Sequence, residues 1–229
     1  MSSSTIILIE TSTKNCSVAI CRDGNLLIEL TESSDQFIHA ERLHVLISKA
    51  IHDCNLAWSE IAGVAVSKGP GSYTGLRIGV SAAKGLAFAL EIPLLAINTI
   101  EMMCDFARKI HPGLDFYCGL LDARRDEVYM AVFDTNGDSV IVTTSAIAGH
   151  NSFAFGEDKN CCFIGDGVQK STAFFPENCI QIATLPAASM MTTLATSYFQ
   201  KEIFENTDSF EPYYLKDFIP GISKQSILG

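Results

Sequence analysis

The sequence predicts an α/β fold made of two similar halves, and three observations support this. Runs rich in β-branched apolar residues alternate with longer segments of helical periodicity. Each half opens with strand-like runs joined by tight turns, which suggests a degenerate duplication. A glycine-rich turn at residues 68–79 joins a strand-like run to a long helical segment. With 229 residues and 48% hydrophobic content, the chain can bury a sizeable core.

The first half is predicted as three strands, a helix, a strand, a second helix and a last strand. Asp23 and Gly24 are a strong hairpin signal between the second and third strands. Apolar residues recur at helical spacing along one face of the first helix. The predicted bounds are strands 5–10, 16–22, 26–31, 61–67 and 93–97, with helices 38–54 and 74–90.

The second half repeats the opening three-strand pattern. We predict strands at 116–121, 127–133, 139–144 and 161–164, and a helix at 188–202. No element is predicted between residues 98 and 112, where we place the boundary between the halves. The predicted subdomains are residues 1–104 and 105–229, with a tail from about residue 209 that packs back on the body.

Charge and hydropathy exclude several classes of protein. The net charge of −10 argues against a broad nucleic-acid surface on this chain, so a partner would supply any basic surface for RNA. The acidity is equally consistent with a role in solubility alone. No run of 18 apolar residues predicts a membrane span. Residues 1–4 lack the pattern of a secretion signal, so we expect a cytoplasmic protein.

The cysteines and histidines do not form a recognisable ligand pattern. None of the eight cysteines has C-x-x-C spacing, and we expect reduced, mostly buried thiols. Cys161 and Cys162 alternate faces in a strand, so at most one should point inward. His39 and His44 diverge by about 140° on a helix, whereas a zinc pair needs a spacing of four. We predict no metal site.

The glycine turn itself has two interpretations. Gly69, Gly71 and Gly75 permit backbone conformations or close approaches closed to other residues, and Ser72 or Thr74 can cap the following helix. The exposed N–H groups of such a helix end suit a phosphate or carboxylate. However, the spacing G-x-G-x-x-x-G matches neither known phosphate loop. Anion binding and a purely structural turn therefore both remain open.

Four motifs together carry a resemblance to a known family. The first is GPGSYTGLRIG at residues 69–79, followed by AKGLA at 83–87. IILIETST at 6–13 with CSVAI at 16–20, HAERL at 39–43 and DARRDEVY at 122–129 agree with it. The chain resembles the TsaB (YeaZ) family over roughly residues 5–134, with a weaker match, EPYYLK, at 211–216. Relatives often have Asp where this chain has Glu10.

The resemblance implies an actin/hexokinase-like (ASKHA) fold, with two subdomains that each contain a mixed sheet flanked by helices. It also implies a non-catalytic subunit that binds TsaD, the enzyme that transfers threonylcarbamoyl to an adenosine of tRNA. A TsaE-like ATPase is a further expected partner, and the chain would form a homodimer when alone. No catalytic residue, metal or independently bound cofactor is expected, and ATP with Mg²⁺ would bind only weakly or through the partner complex.

Two hairpins bear on ATP use, because actin-like enzymes close such hairpins on the nucleotide phosphates. Glu10, Thr11 and Ser12 of the first hairpin, with Gly71 and Ser72, are weak candidates for cofactor binding. In the second hairpin, residues 122–127, Arg124 and Arg125 occupy positions where phosphates would need glycine. We therefore expect no ATP turnover by the isolated chain.

The rival enzymatic interpretations are a small-molecule kinase of the same fold and a glycoprotease-like peptidase. Ser72 does not lie in the G-x-S-x-G elbow of hydrolases, which argues against the peptidase. A third interpretation is a self-associating binding module without a link to tRNA.

The helix after the glycine turn is apolar on two faces. One face, around Leu76 and Val80, should meet the core. The second face carries small residues, so either the helix is fully internal or a partner helix packs closely against it. The resemblance favours a partner. The predicted interface residues are His39, Arg42, Ile78, Ala82, Gly85 and Ala89, and Gly69, Pro70, Gly71 and Gly75 form the predicted structural loop.

Overall fold

The computed structural model describes residues 4–34 and 38–216, which form two five-stranded mixed sheets and their flanking helices. The first sheet contains β1 (Thr5–Glu10), β2 (Asn15–Arg22), β3 (Asn25–Ser33), β4 (Gly63–Gly69) and β5 (Leu94–Asn98). The second contains β6 (Phe116–Asp122), β7 (Glu127–Asp134), β8 (Ser139–Ile147), β9 (Cys161–Ile164) and β10 (Ile180–Ile182).

The two sheets have the same topology. The first has the strand order β3-β2-β1-β4-β5, and the second has the equivalent order β8-β7-β6-β9-β10. In each, the first three strands pair antiparallel and the last two add in parallel. This repeated arrangement confirms the predicted α/β, actin/hexokinase-like architecture.

Six helices cover the sheets within the described residues. They are α1 (His39–Asp53), α2 (Tyr73–Leu90), α3 (Thr99–Ile110), α4 (His150–Phe153), α5 (Val168–Ser171) and α6 (Thr192–Gln200). The predicted helix at 188–202 is instead a 3₁₀ turn, Ala188–Met191, followed by α6. No helix in the described part of the chain is long and apolar enough to cross a membrane.

Helix α3 was not predicted, although it has ordinary helix signals. The Asn98 side chain accepts hydrogen bonds from the N–H groups of Ile100 and Glu101, and Arg108 and Lys109 occupy the last turn. The helix packs between the halves, against residues of both sheets. The predicted subdomain boundary after residue 104 falls within α3, and that division stays a prediction.

Three hydrophobic clusters form the layers of the described part of the chain. Helices α1 and α2 cover one face of the first sheet. The opposite face shares a central core with α3 and the second sheet, and a third cluster lies on the far side of the second sheet. Strand β9 lies between two of these layers, so Cys161 and Cys162 are both buried. The expectation that at most one of them points inward is therefore wrong.

The segment 205–216 runs across the body. Glu205 bridges to Leu94 of β5, and the Tyr213 N–H donates to the carbonyl of Lys68 at 2.7 Å. The Lys84 ammonium of α2 donates to the carbonyl of Phe210 at 2.9 Å. The segment thus holds the end of β4 and the middle of α2 at once.

Candidate functional site

The glycine loop connects β4 to α2 and caps the helix. Gly69 has a φ of +113°, a conformation that favours glycine, and the Gly69–Pro70 bond is cis. Ser72 is the N-cap, and its Oγ accepts from the N–H of Gly75 at 3.3 Å. The prediction that Ser72 or Thr74 caps the helix is confirmed for Ser72.

Two further glycines let the first hairpin approach the loop closely. A β-carbon on Gly71 would lie 2.5 Å from the carbonyl oxygen of Ser12, and one on Gly75 would collide with the carbonyl oxygen of Thr11. This close approach allows two hydrogen bonds. The Ser72 N–H donates to Ser12 O at 2.6 Å, and Thr11 Oγ1 donates to Gly75 O at 2.8 Å. Because the Ser72 and Gly75 N–H groups are already used, this geometry favours the structural role of the turn over anion binding.

Glu10 is a fully buried carboxyl group at the base of the first hairpin. Its Oε1 accepts from the Ser12 N–H at 2.5 Å, while its Oε2 and the Ser12 and Ser67 hydroxyls are buried without hydrogen-bond partners in the described chain. Burial raises the pKa of Glu10 from 4.5 to about 7. The charge of Asp166 raises this pKa further, whereas the hydrogen bond from the Ser12 N–H lowers it. Glu10 is therefore partly protonated near neutral pH.

This shift predicts a pH-dependent contribution to stability. Because the folded pKa is raised, the folded state binds the proton more tightly than the unfolded chain does. The contribution should be complete below pH 4.5 and lost as pH rises to about 7. Between pH 4.5 and about 7, we expect the free energy of unfolding of the wild type to fall by at most about 3 kcal/mol relative to that of Glu10→Gln. Urea denaturation of both proteins at a series of pH values measures it, and parallel pH profiles would contradict the prediction.

The second hairpin presents arginines at a tight turn. Arg124 and Arg125 have φ values of 69° and 47°, and both side chains are exposed. The Lys170 ammonium fixes the turn by donating to Asp122 Oδ1 at 2.6 Å and to the carbonyl oxygen of Arg125 at 3.1 Å. Two bulky residues thus stand in the backbone conformation that glycine would adopt, with a lysine already bound to the hairpin carboxylate.

A groove of about 540 Å³ lies between α1 and α2. Its lining combines small and apolar residues with polar ones and one arginine: Ala40, His44, Arg77, Ile78, Ser81, Ala82, Gly85 and Leu86. A β-carbon on Gly85 would meet nothing within 4 Å, so another helix has room to approach. Phe88 of the same helix is 77% exposed. The alternative that α2 is fully internal is therefore wrong for this chain.

The predicted interface residues divide into three groups. Ile78, Ala82 and Gly85 line the groove, but Ala82 is only 7% exposed and packs into the core at its floor. Ala89 is exposed on α2 without lining the groove.

His39 and Arg42, the third group, are engaged within the chain. His39 is fully buried, with its Nε2 2.7 Å from the carbonyl oxygen of Thr13. The prediction that His39 lies on the interface is therefore wrong. Arg42 forms two hydrogen bonds with the Glu32 carboxylate, at 2.6 Å and 2.5 Å.

Sequence reasoning missed the α1 side of the groove. Ala40 and His44 are four residues apart, and such pairs share a helix face. This spacing was available in the sequence. The predicted interface instead contained the neighbouring residues His39 and Arg42.

Comparisons with known proteins agree with this architecture. A family model described as TsaD, tRNA N6-adenosine threonylcarbamoyltransferase, matches residues 34–224. TsaB of Haemophilus influenzae, a tRNA threonylcarbamoyladenosine biosynthesis protein, is 27% identical over 95% of both chains. A solved structure of YeaZ from Pseudomonas aeruginosa superposes with a TM-score of 0.78 at 27% identity, covering 93% of this chain and 100% of that one. The chain belongs to the TsaB (YeaZ) family.

Other TsaB proteins match a shorter part of the chain at higher identity. TsaB of Bacillus subtilis is 34% identical over 56% of this chain, and TsaB of Escherichia coli is 34% identical over 58%. Those two matches span only 55% and 57% of the respective relatives. The TsaB resemblance stated from the motifs is thus confirmed, and it is strongest in part of the chain. In the described residues of this TsaB-family chain, no group of three or more His, Cys, Asp or Glu side chains is arranged to hold a metal ion.

Proposed function

We propose that this chain is the non-catalytic partner subunit of a TsaD-like threonylcarbamoyltransferase and acts in the formation of threonylcarbamoyladenosine on tRNA. The observation that carries the proposal is the groove between α1 and α2, which is open, largely apolar and lined in part by small residues. The axes of packed helices lie about 8–10 Å apart depending on the side chains at the contact, and small residues allow the closer approach. We infer the pathway from the TsaB relatives, which are named as proteins of tRNA threonylcarbamoyladenosine biosynthesis.

The α1–α2 groove is the surface through which the catalytic subunit binds. Its apolar lining has no counterpart to bury it among the described residues, and Gly85 allows a partner backbone close approach. The same surface serves self-association when the catalytic subunit is absent. A TsaE-like ATPase is a further proposed partner of this complex.

Affinity purification of the tagged chain from its native host tests the proposal. We expect a TsaD-like protein to co-purify in stoichiometric amount and size-exclusion light scattering to report a heterodimer. A TsaE-like protein is expected to co-purify as well. Recovery of the chain alone, under conditions where a TsaD-like protein is expressed, would contradict the proposal.

The kinase alternative makes the opposite prediction about ATP. Arg124 and Arg125 occupy the hairpin where phosphates would approach, and Lys170 already neutralises Asp122. We expect no phosphate release above background from the pure chain with Mg²⁺ and ATP. Steady-state turnover that disappears in Glu10→Ala would favour the kinase, whereas turnover unaffected by that change would indicate a contaminant.

A further inference from the structure

The edge strand β8 leaves apolar side chains unprotected. Within the described chain β8 pairs only with β7, and Val140, Val142 and Ile147 on it are 49%, 73% and 68% exposed. Ile147 also borders a surface groove whose other lining residues are Gly149, His150, Asn151 and Ser152. Proteins usually cover or charge such edges, because an open apolar edge promotes association with other chains.

The last described residue lies beside this strand. The Lys216 ammonium forms an ion pair with Glu127, and it sits 5.7 Å from the centre of the Tyr129 ring. Glu127 pairs directly with Ile147 across the β7–β8 ladder. Side chains of directly opposed residues project from the same face of a sheet. Lys216 therefore lies on the same face of the second sheet as the side chain of Ile147.

The segment that follows has the composition to cover this strand. Residues 217–229 include Phe218, Ile219 and Ile222, with Pro220 and Gly221 favouring a turn between them. An extended chain spans about 3.3–3.6 Å per residue, so two or three residues after Lys216 reach the position of Ile147. We propose that residues 218–222 of this chain pack against Ile147 and the groove of residues 149–152, and so cover the open end of the second sheet.

The tail is favoured over a separate partner by its attachment. A short covalent link gives the tail an effective concentration in the millimolar range at Ile147, which a separate protein at cellular concentration does not reach. Residues 218–222 offer only a small apolar surface. A surface of this size suits an intramolecular contact better than a stable interface between proteins. The proposal is independent of the α1–α2 groove.

A photo-crosslinker at the docking position tests the contact in the full-length protein. Ile147→p-benzoylphenylalanine is irradiated at low protein concentration, and the products are mapped by mass spectrometry. We expect crosslinks to residues 217–222 of the same chain. The control places the same group at Trp58, which is 40% exposed and lies in the first half of the chain, and should not give these crosslinks.

A charge in the tail provides the second arm. Ile219→Asp should lower the yield of the Ile147 crosslink about tenfold, since the buried apolar contact is lost. Ser223→Asp, outside the proposed contact, should leave the yield unchanged. Crosslinks to a second copy or to another protein, no crosslinks to the tail, or equal yields from both tail variants would each overturn the proposal.

Discussion

Gly75→Val is expected to destabilise the protein by about 3 kcal/mol or more, through steric conflict with the first hairpin. The added β-carbon would collide with the backbone carbonyl of Thr11, which cannot swing away like a flexible side chain. Relieving the collision would also break the hydrogen bond from Thr11 Oγ1 to Gly75 O and leave buried polar groups unpaired. Urea denaturation monitored by circular dichroism measures the loss.

Gly85→Val is the matched control, because it makes the same change in the same helix. A β-carbon at Gly85 meets nothing within 4 Å, and a helix interior disfavours glycine. We expect this variant to be as stable as wild type or more stable by up to about 0.5 kcal/mol. Equal unfolding midpoints for the two variants would show that the approach of Thr11 to Gly75 does not constrain the loop.

Gly85→Asp is expected to weaken binding to a TsaD-like subunit by more than about 100-fold while the free chain stays folded. In the free chain the new carboxylate is solvated, since Gly85 is exposed at the open groove. In the complex it would be buried against an apolar helix face without an assigned counter-ion, which costs several kcal/mol. Binding is measured by isothermal titration calorimetry, and folding by circular dichroism.

Two other variants make this test specific. Gly85→Leu fills the same space without charge and should also weaken binding, whereas Ser139→Asp adds the charge on an exposed strand of the second sheet and should not. Ala82→Asp is a poorer probe than Gly85→Asp. Ala82 is 7% exposed and packs in the core, so the charge would destabilise the free chain as well. Unaltered affinity of both Gly85 variants would rule out the groove as the binding surface.

Local patterns in the sequence predicted most of the fold. Alternation of short β-branched runs with helical segments located nine of the ten strands in the described residues and the helices α1 and α2, because these signals depend on near neighbours in the chain. The Ser72 cap was predictable for the same reason. The strand β10, which is three residues long, carries too little periodicity to be recognised. Helix α3 was missed because its segment was interpreted as a boundary.

The candidate site was predicted less completely than the fold. The sequence indicated that Gly71 and Gly75 need either positive φ or a close neighbour, and the structure has the close neighbour at both. The second face of α2 was correctly predicted to carry small residues, and Ile78 and Gly85 lie where a partner can reach them. The position of His39 was wrong, because burial depends on the first hairpin folding over the start of α1.

The sequence by itself determined nine strands and the helices α1 and α2 in their order along the chain, the duplicated meander, the glycine loop and the family. These follow from periodicity, turn chemistry and motifs, which are all local properties of the chain. Only the tertiary structure decided which surfaces are covered. It buried both faces of β9, placed Ala82 at the floor of the groove and brought Thr11 against Gly75 across 64 positions of sequence. A helix or strand pattern shows which residues share a face, but the atoms that cover this face come from elements distant in the chain.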